Sequence, residues 1–273
     1  MYRHVDLSKV FRLTEIYTAF EAQYFPNYST VGETHDFWEI VIVLDGEIGV
    51  TAGSKVINLK AREAILHEPL EFHRLWSEKN SYPKIVILSF NCENMPKLQS
   101  RLFKVSANHL QNASELINLI LKSFVRGRFC VHQIKNENSV EYEFTVKKAE
   151  MLLLEILSGN VIKIDADMSL SAKNYSNIIK VLKNNVHNHL SIPQIAELCN
   201  MSEVNLKKTF SRYAGIGIKK YYNMLIMNEA IVMLKNGASI AETAYALNFN
   251  DCSYFSTAFK RITGIPPSNY KGY

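Results

Sequence analysis

Cysteine is scarce in this chain, and what there is does not pair. Cys92, Cys130, Cys199 and Cys252 are scattered, with no CxxC spacing among them. That excludes a disulfide frame and a thiolate zinc site, and reads as reduced cytosolic thiols. Long hydrophobic runs are also missing. Runs such as Ile40 to Leu44 and Ile85 to Leu88 have the length of strands, short of the roughly 18 residues a membrane span needs. No apolar signal core stands near the N-terminus, so the sequence predicts a cytoplasmic protein with no membrane partner. No segment is low in complexity.

What is present is length and an uneven charge. A chain of 273 residues has room for two domains, each with its own core. Residues 1–165 carry 19 Lys+Arg against 20 Asp+Glu, a net of −1, whereas residues 166–273 carry 12 against 6, a net of +6. The second stretch is therefore where a polyanion partner is expected. Basic faces are also common as plain solvated surface, so charge alone does not decide this.

The first hundred residues read mainly as strands. Phe37 to Leu44 is apolar and β-branched, and Asp45-Gly46 follows as a turn signal. Ile48 to Thr51 and Val56 to Leu59 flank Gly53-Ser54 as a second hairpin, and Glu63 to Leu66, Phe72 to Trp76 and Lys84 to Phe90 continue the series. Short strands at such intervals predict a sandwich or barrel. Beyond Asn91 the apolar spacing turns helical, over Met95 to Phe103, Ala107 to Val125 and Tyr142 to Leu157. In the last of these Phe144, Ala149, Leu152, Leu153, Ile156 and Leu157 form a broad inward stripe. Ile162 to Ala172 reads as a linker, and everything after Asn174 as helices and turns.

Within that helical region a single unit occurs twice. Phe210 is followed five residues later by Gly215 and eleven later by Tyr221; Phe259 is followed at the same intervals by Gly264 and Tyr270. Upstream, Ile195-Ala196 pairs with Thr243-Ala244 and Asn200 with Asn248, at an offset of 48, while the anchors Leu206 and Phe255 are offset by 49. Each copy has a small residue where two helices must cross closely. Each then has an asparagine, which tolerates a left-handed backbone, where the chain must turn. An N-cap follows, Ser202 or Asp251. Leu206 with Phe210, and Phe255 with Phe259, anchor the second helix, and Gly215 or Gly264 ends it.

With the anchors inward, the outward faces can be named. The first presents Val204, Asn205, Lys207, Lys208 and Arg212; the second presents Ser253, Ser256, Thr257, Lys260 and Arg261. Hydroxyls, amides and cations in this mix suit base edges and phosphates, although one copy alone could be a solvated helix face. Ile218 to Lys235 lies between the copies as a connecting helix of roughly 27 Å. That is long enough to hold two reading helices about one DNA turn, roughly 34 Å, apart.

These residues resemble the AraC/XylS family of bacterial transcription regulators. The carriers are Ala244-Tyr245-Ala246-Leu247-Asn248-Phe249-Asn250-Asp251-Cys252-Ser253-Tyr254-Phe255, then Phe259-Lys260, Gly264, Pro267 and Tyr270. The resemblance covers residues 174–273. It implies a DNA-binding domain of two helix-turn-helix motifs, with base contacts near Val204, Lys207 and Lys208 and near Cys252, Ser253, Ser256 and Thr257. Two positions depart from the family pattern: Asn248 stands where glycine is usual, and Thr243 where isoleucine is usual. The threonine hydroxyl is expected to bond back to its own helix.

Residues 1–105 resemble, less specifically, the cupin-like sensor domain of such regulators, through His35-Asp36-Phe37-Trp38-Glu39-Ile40, Leu44-Asp45-Gly46-Glu47 and Pro69 to His73-Arg74. Cupin enzymes hold metal at comparable places, but Glu33 stands here for their first histidine. The expectation is therefore a ligand pocket lined by His35, Phe37, Glu39 and His73, with no metal and no cofactor; a satisfied structural His/Glu pair is the alternative. Residues 106–160 are expected as a helical dimerisation or packing segment and 161–173 as the linker.

The fold class is thus α+β in two domains, a cupin-like β-barrel with helices and an all-α double helix-turn-helix domain. The function implied is a sequence-specific, effector-responsive regulator and not an enzyme. Activation is expected rather than repression. Its partners would be double-stranded promoter DNA, a small effector (a sugar or other metabolite, on which Trp38 or Trp76 could stack), RNA polymerase and a second copy of the chain. Two alternatives stand beside it: a metal-dependent cupin enzyme with an appended DNA-binding domain, and a thiol redox sensor acting through Cys252.

Overall fold

The computed structural model describes residues 8–78, 80–127, 130–159, 161–162 and 169–270. The main boundary between its two compact units falls after Ala166.

In the first unit ten strands and two helices are described: β1 (Arg12–Gln23), β2 (Trp38–Asp45), β3 (Glu47–Ala52), β4 (Lys55–Lys60), β5 (Glu63–His67), β6 (His73–Ser77), β7 (Lys84–Glu93), β8 (Leu102–Lys104), α1 (Ala107–Ser123), β9 (Phe124–Arg126), β10 (Val131–Ile134) and α2 (Val140–Leu157). One sheet has the order β1-β7-β2-β5-β8, a second the order β4-β3-β6, and β9 pairs with β10. Period-two alternation gives the large sheet two buried faces. Ile40, Ile42, Leu66, Val86 and Leu88 pack against α1 and α2, together with Leu116, Ile120, Leu152, Leu153 and Ile156. Val41, Val43, Ile65, Ile85 and Ile87 face the small sheet and meet Ile48, Val50 and Leu75. Each such side chain taken out of water stabilises the unit by about 1.5–3 kcal/mol before chain entropy is counted.

The hairpins form where the turn residues demand, with Gly46 at φ +74° and Gly53 at +56°, values that cost a glycine nothing. Gly49 lies opposite Trp76, and a Cβ there would come within 2.1 Å of the indole. Trp76 therefore covers Gly49 on the outer side of the small sheet, away from the inward His73 and Leu75. Trp38 packs on the helix side of the large sheet. Neither tryptophan faces the space between the sheets, so of the two readings open for them, stacking on an effector or plain packing, the structure favours packing.

Four further expectations need correction. Met95 to Phe103 is not a helix: it is irregular and ends in β8. β1 and the β9–β10 hairpin were not foreseen, because their apolar alternation is weak. Phe144 does not join the inward stripe of α2; it is 57% exposed. Finally, the helix expected after Asn174 is α3 (Leu170–Asn184), capped by Ser169. It takes in residues assigned to the linker, of which 163–168 lie outside the described residues.

α2 is also tied to the start of β1. Glu150, buried on α2, accepts a hydrogen bond from the Leu13 amide at 3.0 Å and an ion pair from Lys147 at 2.8 Å. β1 carries register shifts between Leu13 and Glu15 and between Ile16 and Thr18.

The second unit is helical as described: after α3 come α4 (Ile192–Leu198), α5 (Glu203–Ala214), α6 (Ile218–Lys235), α7 (Ile240–Ala246), α8 (Cys252–Thr263) and a final 3-10 turn at Pro267–Tyr270. Phe210, Phe255, Phe259 and Tyr222 are fully buried and form its centre.

Candidate effector chamber and nucleic-acid interface

One polar row crosses the large sheet. Thr18 pairs with Ser89, Ser89 with Glu39, and Glu39 with His67, so four neighbouring strands place these side chains on one face. It is the face that looks toward the small sheet. The Glu39 carboxylate accepts from Ser89 Oγ at 2.7 Å, and Ser89 shares a 2.5 Å bond with Thr18. From the small sheet His73 brings its Nε2 to 3.4 Å from Glu39, and His35, just before β2, brings its Nε2 to 3.7 Å. The His35 ring stacks on Phe37, which stacks on Tyr17. Leu70 holds a left-handed φ of +65° beside this cluster while its amide donates to the His35 carbonyl. A non-glycine residue keeps such a conformation only where its surroundings enforce it.

The protonation pattern follows from the partners. Burial would raise the Glu39 carboxyl, but His35, His73 and the charge on His73 outweigh it and hold Glu39 well below the usual range. Burial lowers His73, and the adjoining Glu39 raises it beyond that loss, for a net rise. His67 is fully buried and stacked on His73; burial and that neighbouring charge push it down to about 4, against the pull of Glu71 and Glu39.

The ring orientations are fixed from outside. Nδ1 of His35 meets the Phe37 carbonyl and Nδ1 of His73 the Glu71 carbonyl, each at 3.0 Å. A carbonyl only accepts, so each Nδ1 carries a proton. The Nε2 atoms of His35, His67 and His73 are buried and have no hydrogen-bond partner. For His35 and His73 the Glu39 carboxylate is the facing group, while a buried polar atom left like the His67 Nε2 is rare. Ligand atoms of His35, Glu39 and His73 lie within 4.8 Å of one another, a set that can also hold a metal ion.

In the second unit the repeat has the expected geometry. Asn200 and Asn248 stand at φ +52° and +55°, and Gly215 and Gly264 end α5 and α8 at +68° and +86°. Ser202 accepts from the Asn205 amide, and Asp251 accepts from the Ser253 and Tyr254 amides. Leu206, Phe210, Phe255 and Phe259 are wholly buried. Thr243, also buried, donates its hydroxyl to the Ser239 carbonyl at 2.8 Å, so the threonine departure is satisfied within its own helix.

These anchors turn the remaining faces outward. Val204, Asn205, Lys207, Lys208 and Arg212 are exposed on α5, as are Cys252, Ser253, Thr257, Lys260 and Arg261 on α8; Ser256 is half-buried. Lys207 is paired with Glu203 at 2.9 Å, and the Thr257 hydroxyl is spent on the Ser253 carbonyl. Arg261 lines a cavity between α6 and α8 together with Tyr254.

The comparisons with known proteins agree with both halves of this geometry. Residues 195–272 match the family described as Helix-turn-helix domain, and residues 15–126 match the AraC-like ligand binding domain. The chain belongs to the AraC family of transcription regulators. The Msm operon regulatory protein of Streptococcus mutans is 25% identical over 252 residues, 89% of this chain and 87% of that protein. The HTH-type transcriptional activator RhaR of Escherichia coli is 24% identical over 92% of this chain and 90% of that one. A solved structure of ToxT from Vibrio cholerae aligns over 95% of this chain and 96% of that one, at 16% identity and a TM-score of 0.37.

This AraC-family regulator therefore joins a ligand-binding domain to a DNA-binding one, and DNA and a small effector are its partners. No helix among the described residues is long and apolar enough to cross a membrane. The structure brings the expected His35, Phe37, Glu39 and His73 together and sets His67, Ser89 and Thr18, which the sequence did not single out, beside them. The available signal was β-register: a buried glutamate on a central strand needs polar neighbours on the strands beside it. Nor did the sequence single out Tyr245 and Tyr254, which are 84% and 62% exposed at the second helix-turn-helix.

Proposed function

We propose that this regulator reads two successive major grooves with α5 and α8 and is switched by a small polar metabolite held in the chamber. One observation carries the DNA reading: two capped helices, each anchored by a buried pair, turn cations and amides outward. Lys207, Lys208 and Arg212 serve phosphates or guanine edges, with Val204 and Asn205 beside them. Cys252, Ser253, Ser256 and Thr257 face bases, with Lys260 and Arg261 at the phosphates. Cys252 has no further role in this reading, since the α8 N-terminal amides of Ser253 and Tyr254 are taken by Asp251. In the chamber the Nε2 atoms of His35, His67 and His73 and the Glu39 carboxylate are the groups offered to ligand hydroxyls, with Phe37 as an apolar wall.

α2 supports the homodimer. Val140, Phe144, Lys147, Met151 and Leu154 follow each other at spacings of four and three, and Val140, Phe144 and Met151 are 85%, 57% and 62% exposed. That spacing suits the seam of a helix pair. Activation through RNA polymerase is the mode we assign, in keeping with the likeness to RhaR, a transcriptional activator.

The test is selection of binding duplexes from random DNA by the full chain, then a metabolite screen for a rise in melting temperature, since a binder of the native state stabilises it by mass action. No enrichment of DNA would end the proposal. A second reading of the chamber, a divalent metal ion on His35, Glu39 and His73, is favoured by their Nδ1 anchoring, which is how ligating histidines are held. Metal analysis of the purified chain decides between the two.

A further inference from the structure

The segment that leads into the first helix-turn-helix also grips the second. His187 Nδ1 meets the Ala246 carbonyl at 2.9 Å, and His189 Nε2 meets the Leu247 carbonyl at 2.6 Å. Both carbonyls belong to the C-terminal end of α7, where backbone acceptors lack helical partners. Since a carbonyl only accepts, each imidazole is the donor. The side-chain amide of Asn248 returns the contact, donating to the His187 carbonyl at 2.5 Å. His189 packs edge-on against Phe249, the next residue of the second turn.

The same segment is held to the connecting helix. The Tyr222 hydroxyl on α6 accepts from the Leu190 amide at 3.3 Å and donates to the Asn185 carbonyl. Residues 185–191 thus touch α6 and the second turn, and Ser191 caps α4 of the first motif. His189 holds a left-handed φ of +48°, a conformation a non-glycine residue keeps when its surroundings over-determine it.

We infer that His187, His189 and Asn248 form a clasp that fixes the angle and separation of the two reading helices. α6 does not do this alone. Between α6 and α8 a cavity of 440 Å³ is left open, bordered by His189, Lys219, Asn223, Asn248, Tyr254 and Arg261. A second head resting on a partly hollow contact can rock, and the clasp is the polar tie across the rim of that gap. It also explains Asn248. A glycine would satisfy the positive φ, but only a side-chain amide reaches the His187 carbonyl. These are positioning residues: they act through the orientation of α5 and α8 and need not touch DNA.

The inference rests on the two-head reading of DNA, and the test separates the two. Using a duplex selected by the full chain, the spacing between the two head sites is varied by one and two base pairs. Two base pairs rotate the second site by about 70°. The wild type is expected to lose about a hundredfold in affinity at that displacement. With His187→Ala and His189→Ala together the loss should shrink to about tenfold, because a loose second head can follow the site at a lower effective concentration. Affinity for a duplex carrying only the first head's site should stay within about twofold. Should the double variant fail to fold, Asn248→Gly removes one bond, keeps the backbone, and should flatten the same profile partway. The clasp is overturned if either folded variant shows a spacing profile parallel to the wild type, or if the wild type has no spacing preference. The two-head reading itself fails if destroying either site leaves wild-type affinity unchanged.

Discussion

Lys208→Ala is the most direct probe of the interface, because its effect can be worked out in advance. Lys208 is exposed on α5, one residue beyond Lys207 on the same outward face. If its ammonium meets one phosphate, removing it takes away one released counterion. The slope of log affinity against log salt should then become shallower by about 0.9. Between 50 and 200 mM salt, a fourfold rise, that one contact accounts for about a 3.5-fold loss of affinity. So the variant should be weakened by about 3.5-fold more at the lower salt than at the higher, uniformly across related sequences. Fluorescence anisotropy with one duplex at four salt concentrations measures it. A drop by the same factor at every salt would refute the phosphate assignment and point to a neutral base contact. Lys207 must first leave Glu203, a pair worth about 0.3–0.5 kcal/mol, so Glu203→Ala should tighten binding slightly. Ser256→Ala and Thr257→Ala should cost less than either lysine, since Ser256 is half-buried and the Thr257 hydroxyl is already bonded to its helix.

Other perturbations test the framework. Phe210→Ala or Phe259→Ala, each removing a wholly buried ring, should cost about 3–5 kcal/mol in chemical denaturation of the second unit. Asp251→Ala deletes a cap that serves two amides and should cost about 1 kcal/mol. Phe144→Glu with Met151→Glu should turn a dimer into a monomer in sedimentation equilibrium while leaving the far-ultraviolet dichroism unchanged; an unaltered mass would move the dimer seam elsewhere. His67, lowered from 6.5 to about 4 in the fold, is protonated first in the unfolded chain. Its contribution is therefore full above about 6.5 and is lost as pH falls toward 4. His67→Phe should flatten that portion of the first unit's stability profile.

The legibility of the sequence was uneven, for physical reasons. The helix-turn-helix pair was readable because its determinants are local: Ser202 and Asp251 cap, Asn200 and Asn248 turn, and Gly215 and Gly264 stop, each within a few residues of what they act on. The chamber was half readable. His35 and Glu39 are neighbours in sequence, but Thr18, Ser89 and His67 join them only through strand pairing, and register is not written in any one strand. Phe144 was misplaced because a helix stripe counted by hydrophobicity cannot tell a buried position from an exposed one. The His187 and His189 contacts were invisible, since they join segments nearly sixty residues apart through carbonyl groups that carry no side-chain signature.

The bond from Leu13 to Glu150 gives β1 two attachments. Four residues separate Leu13, fastened to α2, from Thr18, the first member of the polar row. The stretch between them is not a rod, because two register shifts interrupt it. A ligand bonded to Ser89 and Thr18 would therefore act on a segment that ends at its anchor on α2, the helix proposed to meet the partner chain. Amide exchange at Leu13 should therefore slow or quicken when the chamber fills, reporting occupancy from a place the ligand never touches.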